Sequence, residues 1–327
     1  MLSADAPIAP RQDGPAVWLG SELSDPAEWT WTLTDDEIDE LLIATHSPEA
    51  RPLPTVAARL ERLSHRLIHG RGFELLRGFP AADLDDDECE AVFVLLGTHL
   101  GALRSQNAAG DLVGNVRDVG LDVADPNVRI YQTNRRQTFH TDSTDVVGLM
   151  CLQTAVSGGE SLLVSAGAIY NEMLDRDADL AAAMFEPVAT DRRGEVPPGA
   201  EPFFRIPVLS WYADDLTVLY QRQYIESARR FADAPPLTDR MVAALDLFDE
   251  IANDTRWHLP MTLEVGDIQF VHNHALLHDR TAFVDDPAAP RHLLRLWLAM
   301  PGDRELPPIF AQRYGSIEIG NRGGIVV

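Results

Sequence analysis

The 327-residue sequence predicts a mixed α+β fold: a β core of the jelly-roll or barrel kind, flanking helices, and an N-terminal helical layer. Two observations predict it. Helical periodicity dominates up to about residue 101, whereas from about Leu112 short apolar runs alternate with Gly, Pro and Asp. That second texture is the mark of many short strands joined by turns. No internal repeat and no low-complexity linker divides the chain, so residues 1–327 read as one domain.

In chain order, residues 1–50 make an N-terminal arm and short helix: 1–30 read as an irregular arm over the surface, rich in Pro, Asp and Ala, and the helix opens at Asp35-Asp36-Glu37 and runs toward Ala44. After the break Arg51-Pro52-Leu53-Pro54, segment 55–69 places Val56, Leu60, Leu63 and Leu67 at helical spacing, and Gly70 stops it. Segment 73–80 reads as a strand. Segment 85–101 is a helix with an acidic first turn and Val92, Leu95 and Leu96 on its apolar face. Strands are expected at 112–117, 145–154, 160–165, 203–209, 216–221, 261–265, 268–272 and 292–299, with helices at 165–174 and 238–252. Segment 189–201 is rich in Pro, Gly and Arg and has no periodicity. It reads as a mobile surface loop or, more pointedly, as a lid over a site.

Composition narrows the function classes. The formal charge is −24, and all 27 basic residues are arginine. Such acidity argues against nucleic-acid binding, which needs basic surface. No run of about 18 apolar residues suits a membrane span. The start Met1-Leu2-Ser3-Ala4-Asp5 lacks the basic and apolar regions of a signal peptide. Cys89 and Cys151 each have apolar neighbours and read as reduced core residues, which fits a cytoplasmic protein.

The stretch Phe139-His140-Thr141-Asp142-Ser143 is the strongest chemical signal. On a strand, residues two apart share a face, so the His140 imidazole and the Asp142 carboxylate converge. A second histidine would complete the two-histidine, one-carboxylate set of non-haem Fe(II) oxygenases. The late stretch 266–280 offers His272, His274 and His278. Spacing alone does not choose among them.

The whole of that stretch, Gly-Asp, an apolar strand, Asn273 and then His278-x-Arg280, resembles the second metal motif of the TauD/TfdA family of Fe(II)- and 2-oxoglutarate-dependent dioxygenases. The resemblance covers roughly residues 70–320 and implies a double-stranded β-helix core. It also implies iron ligands His140, Asp142 and His278, with His272 and His274 behind them. Ser157-Gly158-Gly159-Glu160-Ser161 resembles the family segment whose hydroxyl meets the distal carboxylate of 2-oxoglutarate, which implies that role for Ser161. Arg291 and Arg295, four apart on a strand, share a face. A guanidinium fork suits a carboxylate. The family pattern gives Arg291 the distal carboxylate and puts Arg295 nearer the substrate or the other end of the co-substrate.

The implied reaction is decarboxylation of 2-oxoglutarate to succinate and CO2 at Fe(II) with O2, coupled to oxidation of a C–H bond of a small molecule, normally to an alcohol. Related halogenases replace the carboxylate ligand, so Asp142 implies oxygenation. Candidate substrate contacts are Gln106, Gln132, Asn134, Phe203, Tyr224 and Asn273, with Asn107, Tyr131, Phe204, Trp211 and Tyr220 also in view. Their mix of amides and aromatics suits a natural-product or amino-acid-like molecule. Taurine-type members carry an amide four residues before the first ligand, where this chain has Arg136. That departure puts taurine itself in doubt. Two other readings compete: a cupin-type metal dioxygenase without 2-oxoglutarate, drawing on the extra histidines, and a non-catalytic metal- or 2-oxoglutarate-binding protein.

Overall fold

The computed structural model describes residues 8–46, 53–122, 125 and 128–325. Arg51 and Pro52 of the expected break, and residues 1–5, lie outside the described residues.

Two sheets form the core. The larger has seven strands in the order Thr30–Thr32, Phe73–Arg77, Ile268–His272, Val146–Gln153, His292–Ala299, Ala102–Leu103, with Val113–Val116 also pairing to His292–Ala299. The smaller runs His258–Met261, Ser161–Ser165, Leu276–Arg280, Gln137–His140. Within these two sheets the pairings are antiparallel, except Thr30–Thr32 beside Phe73–Arg77. The chain steps repeatedly between sheets: Val146–Gln153 to Ser161–Ser165, then Ile268–His272 to Leu276–Arg280 and back to His292–Ala299. That alternation makes the jelly roll.

Strand periodicity explains the layering. Leu163 points into the space between the sheets with Val147, Val271, Leu293 and Trp297, while its neighbours Leu162 and Val164 join the opposite cluster. Helices Ala166–Arg176 and Asp239–Asn253 cover that opposite face with Ile169, Tyr170, Leu245 and Phe248. On the far side, helices Asp35–Thr45, Ala57–His69 and Asp86–Leu100 bring Leu41, Leu60, Leu63, Leu67, Val92 and Leu96 against Met150, Phe270, Leu294 and Leu296. The acidic first turns of two of these helices are capping boxes. Thr34 and Glu37 bond reciprocally at one, Asp85 and Glu88 at the other.

Several boundaries differ from the sequence expectation. The strand expected at 261–265 lies at His258–Met261, because Glu264 to Asp267 close a turn on themselves: Glu264 N donates to the Asp267 carboxylate and Asp267 N to Glu264 O. The strand expected at 203–209 divides into Phe203–Pro207 and Leu209–Tyr212. Residues 8–30 are not a loose arm. Trp18 and Trp29 are buried, and the indole of Trp18 bonds Arg71 O at 2.9 Å. The segment expected to be aperiodic from 189 begins inside the strand Pro187–Asp191, which forms a hairpin with Phe203–Pro207, so only 192–202 is loop.

Candidate active site

The strand Gln137–His140 lies at the edge of the smaller sheet beside Leu276–Arg280, and His140 pairs in register with His278. Two imidazoles on directly paired residues must meet; their ring centroids are 4.1 Å apart. Asp142 arrives differently. The strand ends at His140, so the pleat expected to carry both side chains does not reach the carboxylate. Thr141 instead exchanges hydrogen bonds with Tyr220, donating from N to Tyr220 O at 2.8 Å and accepting at Oγ1 from Tyr220 N at 3.0 Å. Asp142 N donates to Asn273 Oδ1 at 3.0 Å. These anchors leave Asp142 Oδ2 3.9 Å from His278 Nε2, and one ligand atom from each of the three residues lies within 4.8 Å of the others.

Charge state completes the donor set. Burial opposes ionisation of Asp142, but the Arg295 guanidinium, the two imidazoles and the Trp297 N–H outweigh it and hold the carboxyl at about 2. Trp297 Nε1 donates to Asp142 Oδ2 at 2.8 Å and Arg295 NH1 at 3.4 Å. Burial, reinforced by His140, pushes His278 down to about 3, and burial lowers His140 too. Two neutral imidazoles and one carboxylate are the protonation state metal ligation requires. His140 Nδ1 lies 2.9 Å from Thr138 O, which makes it the N–H and leaves Nε2 with its lone pair. The residues therefore fit a divalent iron held by one face.

Two cavities meet at this triad. One, of about 470 Å³, is lined by His140, His278, Ser161, Arg280, Arg291 and Arg295, among others. Arg291 is buried with NH1 unpartnered, and Arg280 has both Nε and NH1 unpartnered. Two desolvated cations with idle donors call for an anion. Gly159 shapes the passage: its φ is +79°, and a Cβ there would stand 2.9 Å from Arg291 Nε. The other cavity, of about 560 Å³, is lined on the far side of the triad by Asp142, Thr141, Tyr220, Tyr224, Phe204, Arg129 and Arg313. Tyr131, Gln137 and Arg295 border both.

The expected site residues divide accordingly. His140, Asp142 and His278 come together, and Ser161, Arg291 and Arg295 share one cavity wall. Ser161 Oγ donates to Gln269 Oε1 at 3.0 Å. Of the expected substrate contacts, Tyr224 lines the larger cavity, as do Tyr131, Phe204 and Tyr220. The structure places the rest away from the two cavity walls. Gln106 lies behind the wall, its amide receiving Arg295 Nε at 2.7 Å and donating to Arg295 O at 2.6 Å. Asn273 positions Asp142, as above. Phe203 packs on Phe231, Gln132 stands outside both cavity walls, and Asn134 is exposed. Arg136 pairs with Asp279 at 2.6 Å, while its neighbour Gln137 supplies the amide beside the triad, 2.8 Å from His140 Nε2. His272 and His274 face Asp303 and Asp145 and not the cavities. Sequence reading gave no site role to Arg280, named only within its motif, nor to Trp297, Arg129 and Arg313. For Arg280 a signal existed: it stands two residues from His278 on the same strand face.

A model of the family described as "Taurine catabolism dioxygenase TauD, TfdA family" matches residues 43–297, and the chain belongs to that family. It is similar to FR-33289 synthase of Streptomyces rubellomurinus (strain ATCC 31215), at 32% identity over 90% of this chain and 92% of that one. The Taurine hydroxylase-like protein SAT17 of Stachybotrys chartarum (strain CBS 109288 / IBT 7711) is 28% identical over 88% of this chain and 80% of its own. In fold the chain is similar to an asparagine oxygenase solved with Fe(II), 2S,3S-3-hydroxyasparagine and succinate. There the TM-score is 0.64 at 19% identity, covering 83% of this chain and 93% of that one. The protein is a dioxygenase that uses Fe(II), 2-oxoglutarate and O2 to oxidise a C–H bond of a small molecule. Among the described residues no helix is long and apolar enough to cross a membrane.

Proposed function

We propose that His140, Asp142 and His278 hold the iron and that the smaller cavity holds 2-oxoglutarate, with its distal carboxylate on Arg291 and the Ser161 hydroxyl. The prime substrate then enters the larger cavity. The observation that carries this reading is the pair of buried arginines with idle N–H groups, facing a cavity whose other wall is His140 and His278. Arg280 adds a second cation to that end, beyond the contact expected from sequence.

When bound, the iron would supply activation of O2, the oxidant for C–H cleavage, with 2-oxoglutarate giving up two electrons as it is decarboxylated to succinate. The chain's residues do the rest. Trp297 and Arg295 fix the Asp142 carboxylate by hydrogen bonds and keep it ionised. The Thr138 carbonyl fixes the His140 tautomer. Tyr131, Tyr220 and Phe204 line the substrate side and exclude water from the reacting centre. The substrate is a small natural-product or amino-acid-like molecule, oxidised in the cytoplasm, and the −24 charge argues against nucleic acid as substrate. The reading of residues 1–327 as a single domain is supported by Arg322, which pairs in the core with Asp145 and Asp303.

An anaerobic visible spectrum tests this directly. Adding Fe(II) and then 2-oxoglutarate to the apo-protein is expected to raise a charge-transfer band that is absent in His140→Ala and Asp142→Ala. A folded, metal-loaded wild type without that band would refute the assignment.

A further inference from the structure

The larger cavity carries a charge balance opposite to that of the chain. The whole sequence is −24, yet the wall of this cavity presents Arg129 and Arg313 beyond the Arg295 already committed to Asp142. The cavity also has two carboxylates, Asp142 and Asp191. Asp142 belongs to the triad. Asp191 is saturated: it accepts from Arg193 N at 2.8 Å and from the Ser227 hydroxyl, and it pairs with Arg230 at 3.1 Å. Among the described residues, the counter-ion left for Arg129 and Arg313 is Glu195, which pairs with Arg129 and lies 3.9 Å from Arg313 NH2.

This group is deeply buried. Side-chain exposure is 8% for Arg313 and 11% for both Arg129 and Glu195. Two guanidiniums against one carboxylate leave net positive charge in a desolvated place, which is costly. Burial and the guanidiniums of Arg129 and Arg192 push Arg313 down to about 9, the mark of a cationic site short of anions. Arg313 spends Nε on Ser143 Oγ at 2.8 Å, and Ser143 adjoins the ligand Asp142. Glu195, by contrast, comes from the hairpin loop 192–202, on a turn where Arg193 and Gly194 both have positive φ, +56° and +85°. A fixed pair of cations is met by an anion on a loop.

We propose that Arg129 and Arg313 are the head-group subsite for a substrate bearing a tetrahedral oxyanion, a phosphate or phosphonate, and that Glu195 fills this subsite until the substrate displaces it. The proposal rests on the triad being the iron centre and names the substrate class that centre serves. Charge selects the class. Glu195 is tethered, with an effective concentration in the millimolar range, so a free monocarboxylate repeats its contacts at a disadvantage. A dianion neutralises both guanidiniums and offers three oxygens to their forks. Because Arg313 is bonded to Ser143, a head group held there sits beside the metal motif, so the oxidised carbon lies only a few bonds from the anion.

The experiment is calorimetric titration of the full-length protein, saturated with Mn(II) and 2-oxoglutarate, with inorganic phosphate, methylphosphonate and acetate at low ionic strength. Phosphate and methylphosphonate are expected to bind about tenfold or more tightly than acetate. Glu195→Gln should tighten them by about tenfold, and Arg129→Gln or Arg313→Gln should weaken them by about tenfold, each step being ~1.4 kcal/mol. Arg313→Lys keeps the test open if Arg313→Gln fails to fold. Phosphate affinity unchanged in both arginine variants overturns the subsite. Unchanged or weaker affinity in Glu195→Gln overturns the displacement, and acetate binding as well as phosphate overturns the substrate class. Failure of 2-oxoglutarate to bind in the same samples is a separate result, which strikes the function proposed above and not the subsite.

Discussion

Two groups of histidine and aspartate lie side by side in this molecule, and they end differently. His140, Asp142 and His278 form one; Asp145, His274 and Asp303 form the other, and in each the donor atoms lie within 4.8 Å of one another. In the second, the centre is taken by the chain itself. The guanidinium of Arg322 bridges Asp145 at 2.7 Å and Asp303 at 3.1 Å, His274 reaches Asp145 at 2.8 Å and His272 reaches Asp303 at 3.0 Å. Met300 N donates to Asp145 Oδ2 at 2.8 Å. In the first group the nearby guanidinium, Arg295, reaches the single carboxylate from one side at 3.4 Å and, among the described residues, none bridges the three donors; cavities open on both sides of it. Donor geometry alone therefore does not define a metal site. What decides is whether the compensating cation is covalently supplied or must be bound.

This contrast predicts opposite phenotypes. His278→Ala or Asp142→Ala is expected to cost turnover at least about a thousandfold, ~4 kcal/mol of barrier. Fe(II) affinity should fall with it, while the denaturation midpoint of the metal-free protein changes modestly. Arg322→Ala should do the reverse. It strands the Asp145 and Asp303 carboxylates in the core, a loss of about 3–5 kcal/mol in stability. Urea denaturation of both variants without metal separates the cases. If Arg322→Ala unfolded within about 1 kcal/mol of wild type, the second cluster would not be a structural clamp.

The same contrast explains what was legible in the sequence. Helices and sheet cores were readable because their signal is periodic: Leu60, Leu63 and Leu67 mark a face, and His292–Ala299 lands where its apolar run said it would. The convergence of His140, Asp142 and His278, proposed here as the metal ligands, was readable because family motifs surround them. Arg322 was not, since an arginine among glycines near a chain end has no periodic partner, and its carboxylates lie 177 and 19 positions away. The positions of Gln106 and Asn273 were not legible for a related reason. A buried amide and a substrate-binding amide look alike until their partners, Arg295 and Asp142 N, are brought together by the fold.

A smaller effect is expected at the co-substrate end, where the cation is supplied by the chain and the anion is not. Arg291→Gln removes charge-assisted hydrogen bonds worth about 1.5–3 kcal/mol, so the Kd for 2-oxoglutarate should rise about 10- to 100-fold with little change in Fe(II) affinity. Arg280→Gln should cost less, because the distal carboxylate is assigned to Arg291 and Arg280 adds only a second cation whose NH2 already donates to Arg135 O. Calorimetry with 2-oxoglutarate reads both. Equal effects would mean that both arginines hold the distal carboxylate, and no effect in Arg291→Gln would place the co-substrate elsewhere.

The smallest effect lies at the seam between the two clusters. Gly323, next to Arg322, has φ +77°, and a Cβ there would meet Ser143 O at 2.8 Å; Gly324 N donates to the same oxygen at 2.8 Å. The C-terminal segment is thus pressed against the backbone that follows Asp142. Gly323→Ala adds about 1–2 kcal/mol of left-handed strain and pushes the Ser143 carbonyl, which should lower stability less than Arg322→Ala does. If the seam also sets the position of Asp142, turnover falls a few-fold while 2-oxoglutarate affinity holds, since Arg291 and Ser161 lie on the other cavity. Stability lost with turnover intact would show that the clamp fastens the chain end without tuning the triad.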